Sequence, residues 1–150
     1  MMRLVLLATL GSAAVLLGAY GFQHIGGMAP CKLCLWQRWP HASAIVIGVI
    51  ILMTGEIKLA WAGAIAALST ALIGFYHVGV EQSWWEGPTT CTASGTTNIS
   101  AQDLMNQILA APIVRCDDIP WQLAGISMAG WNAVLSLALA ALWVEAARRA

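Results

Sequence analysis

The sequence predicts an all-α integral membrane protein, a four-transmembrane-helix bundle with a short amphipathic helix in its second outer loop. Three observations carry that expectation. The 150 residues are 59% hydrophobic and only 9% charged, whereas ordinary soluble domains are about 45–50% apolar and about 25% charged. The seven basic and seven acidic residues cancel, which leaves no electrostatic reason to bind nucleic acid. All of those charges fall outside four runs, Leu4 to Phe22, Trp39 to Gly55, Leu59 to Val80 and Pro120 to Val144, of 19, 17, 22 and 25 residues.

A bilayer core about 30 Å thick needs about 20 helical residues. The first run supplies a helix over about 4–22. Arg3 precedes it as in a signal peptide, but the run exceeds the usual ~7–15 residue apolar region. Tyr20, Phe22, Gln23 and His24 stand where a small-x-small cleavage site would be, so the segment is expected to be retained. The second run reaches spanning length by extending back to Leu33, giving a helix over about 33–54 that contains Arg38. At about 1.5 Å per residue that arginine lies roughly 7.5 Å from the helix start, an interfacial depth that avoids the cost of a mid-membrane charge. The third and fourth spans are about 59–80 and 120–144, and short Gly/Pro punctuation without internal repeats makes residues 1–150 a single membrane domain. Small residues such as Gly63, Ala67, Gly74, Gly125 and Gly130 suit close helix packing.

Arg3, Lys58, Arg148 and Arg149 lie on one side of this arrangement, and Lys32, Arg38 and Arg115 on the other. With Arg38 counted as part of a helix, the positive-inside rule predicts cytoplasmic termini and outer loops over about 23–32 and 81–119. Trp36, Trp39, Trp61, Trp84, Trp85, Trp121 and Trp143 fall near span ends as an aromatic belt, with Trp131 alone in mid-helix. Within the second outer loop, Ser100 to Asp103 reads as a capping box and Ile99 with Leu104 as a hydrophobic staple. Leu104, Met105, Ile108 and Leu109 then recur at helical spacing before Pro112, as in a helix lying on the membrane surface.

All four cysteines consequently sit on or at the edge of the outer face, where disulfides form and persist. Cys31 and Cys34 make a C-x-x-C at a helix start after Pro30, one turn apart, with Lys32 and Arg38 nearby. A helix amino terminus and neighbouring cations favour a reactive thiolate. Cys91 and Cys116, if bridged, close a loop of about 25 residues and restrain the unfolded chain by roughly 3.5 kcal/mol, a staple on that reading alone. A zinc site built from all four is disfavoured by the separation of Cys91 from Cys116, because zinc sites use two close pairs. His77, near the outer end of the third helix, reads as a satisfied polar residue among helices and secondarily as a ligand or proton carrier, whereas His24 and His41 carry no usable signal.

The stretch Pro30, Cys31, Lys32, Leu33, Cys34, Leu35, Trp36, Gln37, Arg38 resembles the P-C-x-L-C-x-x-(Q/E)-R signature of the disulfide bond formation protein B (DsbB) family. The tract from Tyr76 and His77 through Glu81 and Gln82 to Pro88 is similar to that family too, as is the tract from Trp121 to Asn132 opening helix four. The resemblance covers essentially the whole chain. It implies a quinone-linked oxidoreductase of the bacterial inner membrane that reoxidises a periplasmic DsbA-like thioredoxin-fold oxidant and passes the electrons to ubiquinone or menaquinone. It further implies redox-active disulfides Cys31–Cys34 and Cys91–Cys116. By the same resemblance Cys91 forms the mixed disulfide with the partner, Cys116 resolves that bond or passes the electrons on, and Cys31 is the sulfur it attacks. Cys34 then carries the thiolate facing the quinone, Arg38 holds the quinone carbonyl, and His77 matches a position of quinone contact in some relatives. A vitamin K epoxide reductase-like enzyme would carry its quinone-facing C-x-x-C after the loop pair, whereas here it comes first. A membrane scaffold with two structural disulfides is the non-enzymatic alternative. The chain has no flavin or nucleotide motif, so an electron acceptor must come from outside it.

Overall fold

Segments this uniformly apolar have no polar face to turn to water, and they form helices of membrane length. The computed structural model describes residues 1–88, Gln102, Met105 and 114–149. Its helices are α1 (Met2–His24), α2 (Lys32–Thr54), α3 (Ala60–Glu81) and α4 (Met128–Arg148), with a 3-10 turn at Ile57–Leu59 leading into α3. All four are long and apolar enough to cross a membrane. Neighbours in sequence pack side by side, and α4 returns to α1, so the four close into a ring. Exposed leucines such as Leu7, Leu17, Leu72 and Leu137 cover the outside, as expected of surface that meets lipid rather than water. The protein is therefore a multi-pass membrane protein.

Small residues let the helices approach. Gly48 of α2 lies against Thr9 of α1, and Gly74 of α3 against Ala129 and Ala133 of α4. Gly63 lies beneath the ring of Trp143. That tryptophan is fully buried, in a cluster with Val5, Ala8, Ile51 and Ala67. Trp143 thus belongs to the core and not to the expected aromatic belt: its indole fills space opened by a glycine on the facing helix. Gly125 departs from the packing role as well, since it meets no neighbour and has φ of 78°.

Gly125 instead shapes a feature that counting charges did not separate from the fourth span. Within the uncharged run from Pro120, residues Gln122–Leu123 (β1) and Ile126–Ser127 (β2) pair as an antiparallel hairpin. Ala124 and Gly125 both have positive φ, as a two-residue turn matching strand twist requires. Helix α4 starts only at Met128, capped by Ser127 Oγ, which accepts from the Gly130 N–H at 3.1 Å. Trp131, expected in mid-helix, lies in the first turn of α4 and donates from its indole N–H to the Leu123 carbonyl at 3.1 Å. At the end of α3, Trp85 folds back over Gly79, stacks on Tyr76 and donates to the Tyr76 carbonyl at 2.9 Å. The expected loop helix, including its capping box and staple, lies outside the described residues except for Gln102 and Met105, both helical and exposed.

A side chain at position 63 would place its Cβ 2.7 Å from ring carbons of Trp143. Gly63→Val should therefore lower stability by about 1–3 kcal/mol, read as a reduced melting temperature in detergent. An unchanged melting temperature would contradict the packing of α3 on α4 described above.

Candidate active site

The first turn of α2 sets the chemistry. Cys31 is the N-cap, extended at φ −73° and ψ 170°, and its sulfur accepts from the Cys34 N–H at 3.2 Å. One helical turn brings the two sulfurs to 2.9 Å, with the Cys31 thiol donating to Cys34 Sγ. No disulfide is formed among the described cysteines. The hydrogen bond to Cys34, together with burial, pushes the Cys31 thiol up from its ordinary value. Developing negative charge in the pair is thereby directed to Cys34. Cys116 is buried in one cluster with Cys31, Leu33 and Val80, against which Cys34 and Val114 pack. Three of the four cysteines are thus brought together, while Cys91 lies outside the described residues. Beside Cys116, Arg115 forms an ion pair with Asp117 and holds that half-buried carboxyl below its usual range.

Cys34 also faces an apolar cavity of about 460 Å³ between α1, α2 and α4, walled by Val15, Phe22, Trp121, Met128, Trp131 and Leu135. That volume falls in the range of small-molecule sites, about 300–1,000 Å³. Arg38, one turn beyond Cys34, is the cationic residue of its lining. The Arg38 guanidinium donates to Gln23 Oε1 at 2.6 Å and to the Ala19 carbonyl at 3.4 Å, and lies over the ring of Tyr20 at 4.7 Å. Its Nε is buried and has no acceptor among the described residues. An arginine in the lining of an apolar cavity, one turn beyond a thiol, suits an uncharged lipophilic molecule carrying a carbonyl oxygen.

His77 does not line that cavity. It sits behind Cys31, in a chamber of about 40 Å³ shared with Cys34, Glu81, Arg115 and Asp118. Its Nε2 lies 3.1 Å from the Cys116 carbonyl oxygen, 3.6 Å from Cys31 Sγ and 3.9 Å from Glu81 Oε1. Cys31, Cys34 and His77 each offer a ligand atom within 4.8 Å of the others, close enough to share a metal ion. Glu81 is held by Ser127, whose hydroxyl donates to Oε2 at 2.5 Å.

Several participants were not singled out from sequence. Gln37 meets His77 Nδ1 at 3.0 Å, and Asn132 of α4 donates to Gln37 Oε1 at 2.7 Å. Asn132 also bonds Thr70 at 3.1 Å and His41 at 2.9 Å, and Ser136 lies 3.3 Å from His41. The available signal was their placement: amide, imidazole and hydroxyl groups inside membrane-length apolar helices are expensive unless they pair with one another.

A model of the family described as Disulfide bond formation protein DsbB matches residues 2–146. The chain belongs to the DsbB family. Similar relatives are a Disulfide bond formation protein B of Azoarcus sp., 31% identical over 98% of this chain and 94% of its own length, and Disulfide bond formation protein B 2 of Pseudomonas aeruginosa, 30% identical over 94% and 86%. Another is Disulfide bond formation protein B of Albidiferax ferrireducens, 26% identical over 98% and 90%. No solved structure matches the chain. Membership of the DsbB family makes this protein a disulfide-forming oxidoreductase of the bacterial membrane.

Asn132→Leu would strip Gln37 Oε1 and Thr70 Oγ1 of a buried donor. A stability loss of about 1–2 kcal/mol is expected, the upper range for polar contacts between membrane helices, measured by denaturant titration in detergent.

Proposed function

We propose that the chain reoxidises a periplasmic DsbA-like thioredoxin-fold protein and delivers the electrons through Cys91–Cys116 and then Cys31–Cys34 to a membrane quinone, ubiquinone or menaquinone. The observation that carries this reading is the position of Cys34, hydrogen-bonded to Cys31 and exposed to a roomy apolar cavity that also holds Arg38. A quinone bound there would supply a two-electron, two-proton acceptor, so that partner dithiol and quinone yield partner disulfide and quinol.

The protein's own residues do the rest. Cys91 takes the partner's sulfur into a mixed disulfide, and Cys116, released as a thiolate, attacks Cys31. The Cys31–Cys34 bond breaks and its electron pair leaves on Cys34, whose place in the first turn of α2 favours negative charge there. Arg38 holds the acceptor's carbonyl and steadies developing negative charge; its place in the cavity lining one turn beyond Cys34 supports that role. His77, which resemblance links to the quinone, serves the sulfur side of the relay here, since its partners are Cys31 and the Cys116 main chain. The reading assigns the protein to the bacterial inner membrane with both termini cytoplasmic and the cysteine end periplasmic.

Purified protein given a reduced DsbA-like partner and a soluble quinone should turn over, and Cys34→Ser should abolish quinone reduction. Arg38→Gln should insert normally yet raise the apparent KM for quinone about tenfold, the loss of one charge-assisted hydrogen bond. Quinone kinetics identical to wild type would remove Arg38 from the site. Cys116→Ala leaves Cys91 as a thiol that should open the disulfide of the oxidised partner and be recovered in a mixed disulfide with one of its cysteines, identified by mass spectrometry of the linked peptides; linkage through Cys31 would reverse the electron order.

A further inference from the structure

Two main-chain carbonyls fix the direction of a hydrogen-bond chain that ends at the sulfurs. The side-chain amide of Gln37 lies 3.2 Å from the Leu33 carbonyl oxygen, which can only accept, so the atom facing it is the NH2 group. The same nitrogen is 3.0 Å from His77 Nδ1, which therefore accepts and carries no proton. The orientation of Asn132 is set independently. Thr70 gives its only hydroxyl proton to the Gln37 carbonyl at 3.1 Å, and so must accept at 3.1 Å from Asn132 Nδ2. That nitrogen then donates to Gln37 Oε1 at 2.7 Å, which agrees with the first assignment. From the far side of the ring, the Cys116 carbonyl 3.1 Å from His77 Nε2 requires a donor there.

We propose that Gln37 is a positioning residue that holds neutral His77 as the Nε2–H tautomer, its N–H shared between the Cys116 carbonyl and Cys31 Sγ. The chemical consequence rests on the relay proposed above. After Cys116 has attacked Cys31, the partner's second cysteine displaces Cys91 from the mixed disulfide as a thiolate. Cys91 then attacks Cys116: the Cys91–Cys116 bond forms, the Cys116–Cys31 bond breaks, and the electron pair leaves on Cys31. The His77 N–H keeps its proton and donates a hydrogen bond to that departing sulfur, while clamping the Cys116 main chain beside it. The opposite tautomer would aim a lone pair at two acceptors.

The tautomer is directly measurable. In protein with 15N-labelled histidine, assigned against His77→Gln and kept where the ring is neutral, Nδ1 should give the signal of an unprotonated nitrogen and Nε2 that of a protonated one. Gln37→Glu replaces the donor by a carboxylate, and Nδ1 should become protonated. A protonated Nδ1 in the wild-type ring overturns the proposal, as does an unprotonated Nδ1 in Gln37→Glu. In a variant retaining Cys31 as its only cysteine, His77→Phe should lower the alkylation rate of Cys31 below its pKa about tenfold, as one hydrogen bond to a charged sulfur is lost. An unchanged rate also overturns it. Neither measurement uses quinone or partner, so failure of the relay would show instead in the turnover assay.

Discussion

The hydrogen bond from Asn132 to Gln37 ties the bundle to its chemistry. Lipid offers no partner to a stray amide, so polar groups placed inside these helices must satisfy one another. Asn132 on α4 meets Gln37 and His41 on α2 and Thr70 on α3, and Gln37 passes the connection to His77 on α3. Apolar packing alone would leave three helices free to slide or rotate, because lipid tails resemble leucine side chains as solvent. The polar ring removes that freedom. It sets the rotation of α2, and the rotation of α2 decides that Cys34 and Arg38 face the large cavity while Cys31 faces His77.

Small residues and polar residues divide the length of the bundle between them. Away from the cysteines, Gly48, Gly63 and Trp143 bring helices close without any polar contact. Toward the cysteines, the Gln37, Asn132 and His77 network takes over, and beyond it the chain is held by Ser127, which both caps α4 and donates to Glu81 of α3. That single hydroxyl joins the hairpin, the start of α4 and the end of α3, where Val80 packs in one cluster with Cys116.

Much of this was legible in the sequence where the information is local. Four membrane helices follow from where the charges are missing, and the placement of Cys34 one turn before Arg38 follows from helical spacing. What escaped depends on pairings between distant positions. Whether Trp143 anchors at an interface or fills a core is decided by Gly63, 80 positions earlier. The partners of Gln37 lie on α3 and α4, and no periodicity within α2 points to them. The hairpin before α4 was hidden because an uncharged run looks the same whether it is helical or turned; the glycine at 125, beside Ala124, was the one local clue.

Cys34 lines both the large apolar cavity and the small chamber that holds Cys31 and His77. The first turn of α2 therefore acts as a partition with a sulfur atom set in it. Under the proposed function, electron pairs cross at that atom while the quinone and the Cys31 and Cys116 sulfurs stay on opposite sides of it. On the same reading, that one sulfur is where the oxidising power of the membrane pool meets the cysteine relay.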